Sequence, residues 1–200
     1  MQTKSVGLPG FNLCETTVRV RGDSPLICHR FGASQRKSIL DKQTKKARHS
    51  KGARDPEREF RESLYELGKD DSGNIVYGFP SSAFKKAAVF AIRHVEGMTM
   101  AGSWGSFHVL GEYVRIHGDG PHVREDIIRL PTGVADIRFR AEFRDWYCDV
   151  PVSFNEGSIS LEQLGHLFNV AGFAVGVGDW RPERRGSYGM FHVVSQEESS

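Results

Sequence analysis

The chain has 200 residues, 38 % of them hydrophobic and 26 % charged, with a formal net charge of +2 at pH 7. That composition suits a folded chain with a sizeable core and excludes a polycation, so any affinity for nucleic acid must come from where the charge sits. Cys14, Cys28 and Cys148 lack disulfide, zinc or redox spacing, and no leader or long apolar run stands out; we therefore expect one cytoplasmic domain spanning 1–200, with no membrane span and no metal site.

Residues 14–22 alternate, with Val18 and Val20 on one side and Arg19 and Arg21 on the other, and predict a strand. Between Ser34 and Arg54 the basic residues Arg36, Lys37, Lys42, Lys45, Lys46, Arg48, Lys51 and Arg54 accompany one acid, Asp41. Apolar residues are too sparse there to bury a face, so 34–76 is expected to be a basic inserted segment, mobile or partly helical at its start. Residues 57–67 predict a short helix around Phe60, Leu64 and Leu67, and Asp70–Asn74 a turn. A second helix is expected after Pro80, capped by Ser81 or Ser82, with Phe84, Ala87, Ala88, Ala91 and Val95 along one stripe and Gly97 ending it.

Trp104 to Ile116 predicts a strand or hairpin, His117–His122 a polar turn, and Arg124, Glu125, Asp126 and Arg129 a charged surface patch or subunit contact. From 135 to 146, Ile137, Phe139, Ala141 and Phe143 alternate with Arg138, Arg140, Glu142 and Arg144, the clearest strand pattern in the chain; 150–154 predicts a shorter one. Ser160 and Gln163 form a capping box for a helix with Leu161, Leu164, Phe168 and Ala171 inward and Gly172 at its end. A glycine-rich run, 172–189, then leads to a strand at 190–194, with 196–200 as a frayed tail.

The order β, insertion, α, β, β, α, β is that of an α+β, ferredoxin-like (β-α-β-β-α-β) fold. Its first and third strands are central neighbours, which would set Arg19, Arg21, Arg138, Arg140 and Arg144 side by side on the open face of the sheet. Like charges that close call for a polyanion. The plainer reading is a solvated polar face with Glu142 and Asp145 as partners. The glycine-rich run carries Trp180, Arg181, Arg184, Arg185 and Tyr188, side chains suited to phosphates and bases. Alternatively it is a connector whose aromatics anchor it to the core. A helix precedes these glycines, and no Gly-Lys-Ser/Thr ending follows, so neither a P-loop nor a nucleotide cofactor is expected. The group His117, Asp119 and His122 lacks zinc spacing. His29 has the chemistry of a general base in a metal-independent endoribonuclease, or is structural.

Two segments carry a family resemblance. Gly78-Phe-Pro-Ser-Ser-Ala-Phe-Lys-Lys-Ala-Ala88 resembles the segment that opens the first helix in the RAMP superfamily, although it lacks that family's glycine after proline. The run with Gly176, Gly178, Arg181, Gly186 and Gly189 before a last strand resembles the superfamily's glycine-rich loop, here longer and carrying Asp179 and Glu183. The superfamily includes RNA-binding backbone subunits of CRISPR effector complexes and related processing endonucleases; the chain also resembles phage or prophage proteins. The resemblance implies single-stranded RNA or DNA on the sheet, gripped by the loop, with Lys42, Lys45, Lys46 and Arg48 of the insertion closing over it. It also implies side-by-side self-association or a place in a multi-subunit nucleoprotein complex. The expectation is a non-catalytic binding protein. The alternatives are an endoribonuclease of the same superfamily, or a phage-encoded protein that binds or mimics a subunit of a host CRISPR complex.

Overall fold

Period-two alternation in the first strand, β1 (Leu13–Gly22), sends Val18 and Val20 inward and leaves Arg19 and Arg21 exposed. The structure, a computed structural model, describes residues 10–44, 55–96, 99–129 and 132–194. After β1 come β2 (Leu26–Cys28), α1 (Ala33–Gln43), α2 (Pro56–Glu62), β3 (Glu66–Lys69), β4 (Ile75–Pro80) and α3 (Ser81–Ala91). Then follow α4 (Met100–Ser103), β5 (Phe107–Val109), β6 (Tyr113–Arg115), β7 (His117–Arg129), β8 (Ala135–Asn155), α5 (Leu161–Ala174) and β9 (Phe191–Val193). The fold is α+β, and every strand pairing among the described residues is antiparallel.

The spine of the larger sheet is β8. Along one side it pairs with β2 at Ala141–Phe143 and β1 at Tyr147–Asn155. Along the other it pairs with β7 between Ala135 and Tyr147 and with β5 at Val152–Phe154. β9 adds to the free edge of β1. β3, β4 and β6 form a second, three-stranded sheet.

One face of the large sheet is the core. Val18, Val20, Cys148, Val150, Val152 and Phe154 meet α3 through Phe84, Ala87, Ala88 and Ala91, and α5 through Leu164, Leu167, Phe168 and Ala171. Phe168 meets Phe107 edge-on at 6.3 Å between ring centroids, and Phe191 touches Phe84 and Trp146. Each such buried side chain contributes about 1.5–3 kcal/mol. The Trp146 indole donates to Ser24 O at 2.8 Å, which ties β8 to the β1–β2 turn. The opposite face carries Arg19 and Arg21, and helices leave it uncovered there.

Several expectations change. Residues 135–146 and 150–154 belong to one strand, β8. Asp145 has a φ of 43°, and this bulge flips the side-chain parity, so Ala141 and Phe143 point inward before it and Trp146, Cys148 and Val150 after it. The expected turn at 117–122 and patch at 124–129 are the strand β7. Within 57–67 the helix stops at Glu62; Leu64 enters the core and Leu67 joins β3. The residues from 104 to 116 form two short strands after α4. Neither Ser81 nor Ser82 caps α3, whose N-cap is Pro80; Ser81 is buried. Gly172 lies inside α5, not at its end, and packs against the Phe191 backbone. The segment 34–76 contains α1, α2, β3 and the start of β4. Residues 45–54, Gly97 and the tail 196–200 lie outside the described residues. Among the described residues no helix is long and apolar enough to cross a membrane.

Candidate nucleic-acid interface

β1, expected beside 135–146, pairs instead with Tyr147–Asn155 of β8, so the five arginines are not side by side. β1 runs along Tyr147–Asn155, whereas Arg138, Arg140 and Arg144 lie farther along β8, beside β2 and β7. Each of these has found acids. Arg138 Nε donates to Asp136 at 2.8 Å and Arg144 Nε to Glu142 at 2.8 Å. Arg140 is buried at 6 % exposure; its Nη1 reaches Asp126 at 3.3 Å, and its Nε, 3.5 Å from Asp179 Oδ2, is not aligned for a hydrogen bond. Arg19 is exposed but forked onto Asp149 at 2.7 and 2.9 Å. Arg21 is exposed, with no acid partner among the described residues. Lys42 falls in α1; its side chain, with Lys45, Lys46 and Arg48, lies outside the described residues.

The glycine-rich loop lies over the β2 end of the open face. Asp179 N donates to Ile27 O at 3.1 Å and Gly189 N to Pro25 O at 2.9 Å. Gly178 makes this close approach possible: its φ is 80°, and a Cβ there would stand 2.6 Å from Ile27 O. Val177, Gly186 and Tyr188 also spend their amides inside the loop. The glycines therefore serve docking of the loop more than a cradle for phosphate. Arg181 acts inward as well, gripping Glu183 at 2.8 Å and Gly178 O at 2.9 Å. Tyr188 receives Arg124 on its hydroxyl at 3.1 Å and over its ring at 4.4 Å. Trp180, 40 % exposed, and the exposed Arg184 and Arg185 remain on the outside, the two arginines with no acid partner among the described residues.

Beneath the loop runs a chain of ion pairs. His29 Nδ1 lies 2.9 Å from Asp179 Oδ2; Asp179 borders Arg140; Asp126 joins Arg140 to Arg124; Glu142 takes Arg124 at 2.6 Å and then Arg144. Burial alone would raise the carboxyls of Asp179 and Glu142. Hydrogen bonds from His29 to Asp179, and from Arg124 and Arg144 to Glu142, outweigh it and hold both below the ordinary carboxylate range. Asp149 is held low first by its hydrogen bond from Arg19.

Three features escaped the sequence reading. His117 and Tyr147, register partners on β7 and β8, stack with ring centroids 4.6 Å apart and planes 9° from parallel. Arg115 lines the cleft beside them. His29 is oriented by Asp179, a residue 150 positions away. No periodicity signals these, since each needs the pairing of β7 with β8 or the return of the loop. Among the described residues no cluster of His, Cys, Asp and Glu could hold a metal ion.

No protein-family model and no curated protein matches the chain. Among solved structures the chain is similar to Cmr6 from Pyrococcus furiosus, at 12 % identity and a TM-score of 0.48, over 92 % of this chain and 100 % of that one.

Proposed function

We propose that the protein binds single-stranded nucleic acid, RNA in the first place, along the helix-free face of its large sheet. The observation that carries this reading is the group Arg21, Arg184 and Arg185, exposed and without acid partners among the described residues. Arg21 is the register partner of Tyr147, which stacks on His117, and Arg184 and Arg185 share the loop with the exposed Trp180. Cations track a phosphate backbone and rings stack on bases, a pairing that gives affinity with little sequence preference. Arg19 contributes by exchanging its surface carboxylate, Asp149, for a phosphate, and Arg144, exposed beside the buried Glu142, offers its outer guanidinium edge. Arg138, Arg140, Arg181 and Tyr188 hold the loop and strands that present the others. Lys42, Lys45, Lys46 and Arg48 close over the strand in the same proposal.

The proposed core is ferredoxin-like: β1, α3, β5, β8, α5 and β9, with the antiparallel order β9-β1-β8-β5 in its support. Together with the motifs at 78–88 and 172–189, it supports a place in the RAMP superfamily and in a multi-subunit, cytoplasmic nucleoprotein complex. Fluorescence anisotropy with labelled single strands over a salt series tests the binding. Affinity should fall with a log–log slope of about −0.7 per phosphate neutralised. Absence of affinity for any single strand at low salt refutes it.

The pairing of His29 with Asp179 favours a second reading, metal-independent RNA cleavage. An imidazole whose Nδ1 is held by a carboxylate leaves Nε2 for proton transfer. Site-specific cleavage of labelled RNA in EDTA, lost in His29→Ala, would displace the binding-only account; intact RNA supports it.

A further inference from the structure

A cleft of about 300 Å³, within the lower range of small-ligand sites, opens where the β3–β4 hairpin approaches the start of β7. Its lining includes Ile75, Tyr77, Arg115, His117, Phe143 and Tyr147. Nothing in the motifs or the loop points to it. Four of the lining side chains are rings, with Asp70 and Asn74 at the hairpin end: His117 stacks on Tyr147, and Tyr77 meets Phe143 edge-on at 5.7 Å. Arg19 approaches the Tyr147 ring at 5.3 Å, and Arg21 is the register partner of Tyr147, so the cleft joins the open face of the sheet.

Backbone departures surround the cleft. β7 shifts register between His117 and Asp119 and again before His122, while Gly118 and Asp145 have positive φ. Such irregularities recur next to binding sites because they re-aim side chains. Here the shift falls at the stacked pair. Burial, with the charge of Arg115, holds the His117 imidazole below its ordinary pKa, so the ring is neutral near pH 7. A neutral, flat ring in a half-buried slot with one exposed guanidinium at its edge suits an aromatic base better than a free phosphate.

We propose that this cleft takes one unstacked base of the bound strand, held against the His117–Tyr147 pair, with Arg115 on an adjoining phosphate. The proposal rests on the single-strand reading above and deepens it: the face holds a backbone, and the cleft captures a base.

Nucleoside monophosphates and, as a base-free probe, ribose 5-phosphate are titrated into the full-length protein while the ring resonances of His117 and Tyr147 are followed by NMR. The nucleotides should shift both rings saturably and ribose 5-phosphate should not. His117→Ala should weaken nucleotide binding about tenfold. Arg115→Ala, at an exposed position, should weaken it without changing the direction of the ring shift. Equal response to ribose 5-phosphate, or no saturable shift in the wild type, overturns the base site. Oligonucleotide binding with unresponsive rings sinks the cleft alone and leaves the wider reading. A cleft that takes nucleotides in a protein that binds no oligomer upholds the cleft and sinks the wider reading.

Discussion

Arg140 shows how a residue that suits a polyanion can be committed elsewhere. Its side chain is 8 % exposed and lies between Asp126 and Asp179, so it neutralises two acids under the loop. Removing Arg140 leaves Asp126 with Arg124 and Asp179 with His29, so the loss is that of its own contacts in a buried network. Arg140→Ala should cost about 1–3 kcal/mol in urea unfolding. Arg184→Ala, at an exposed side chain, should leave stability unchanged within about 0.5 kcal/mol. The carboxyls of Asp179, Glu142 and Asp149 are all held below their ordinary range in the folded chain. Their contribution is therefore complete above the unfolded value of about 4 and is lost as pH falls through the depressed folded values. The urea midpoint should hold steady down to about pH 4.5 and drop below it. A midpoint that rises on acidification would contradict the ion-pair chain.

At the level of elements, the loop is a docked structure more than a tether. Gly178→Ala places a side chain at φ 80° and against Ile27 O, so it should cost about 1–3 kcal/mol by thermal unfolding and weaken oligonucleotide binding by loosening Trp180, Arg184 and Arg185. A variant of wild-type stability and affinity would mean that the loop is not docked. Much of the fold is legible in the sequence. Alternation at 14–22 marks β1, and Ser160 with Gln163 makes a complete capping box for α5. Alternation fails where geometry changes parity. Asp145 splits the apolar pattern of β8 into two, so a single 21-residue strand resembles separate strands. β7 is hidden because Gly118, Gly120 and Pro121 look like a turn, and because its far end is a two-stranded ribbon with Val123 and Ile127 exposed. The site is less legible than the fold. Sequence marks arginines, but which of them carry acids depends on strand pairing and on the loop's return.

Across the whole molecule, a net charge of +2 leaves no general attraction for nucleic acid. What distinguishes one surface is local: Arg21 beside the Tyr147 and His117 rings on the open face, with Arg184 and Arg185 beside Trp180 in the loop, none of the three with an acid partner among the described residues. Arg184→Ala with Arg185→Ala should flatten the salt dependence by about 0.7 for each phosphate no longer neutralised, in an anisotropy series, and Arg21→Ala should act additively. The most direct measurement is ultraviolet cross-linking of the full-length protein to a single-stranded oligonucleotide, with the attached peptides identified by mass spectrometry. The account predicts attachment on the open face, at peptides carrying Tyr147, His117 or Trp180. Attachment confined to α3 and α5, or none under conditions where an established single-strand binder is captured, would contradict it.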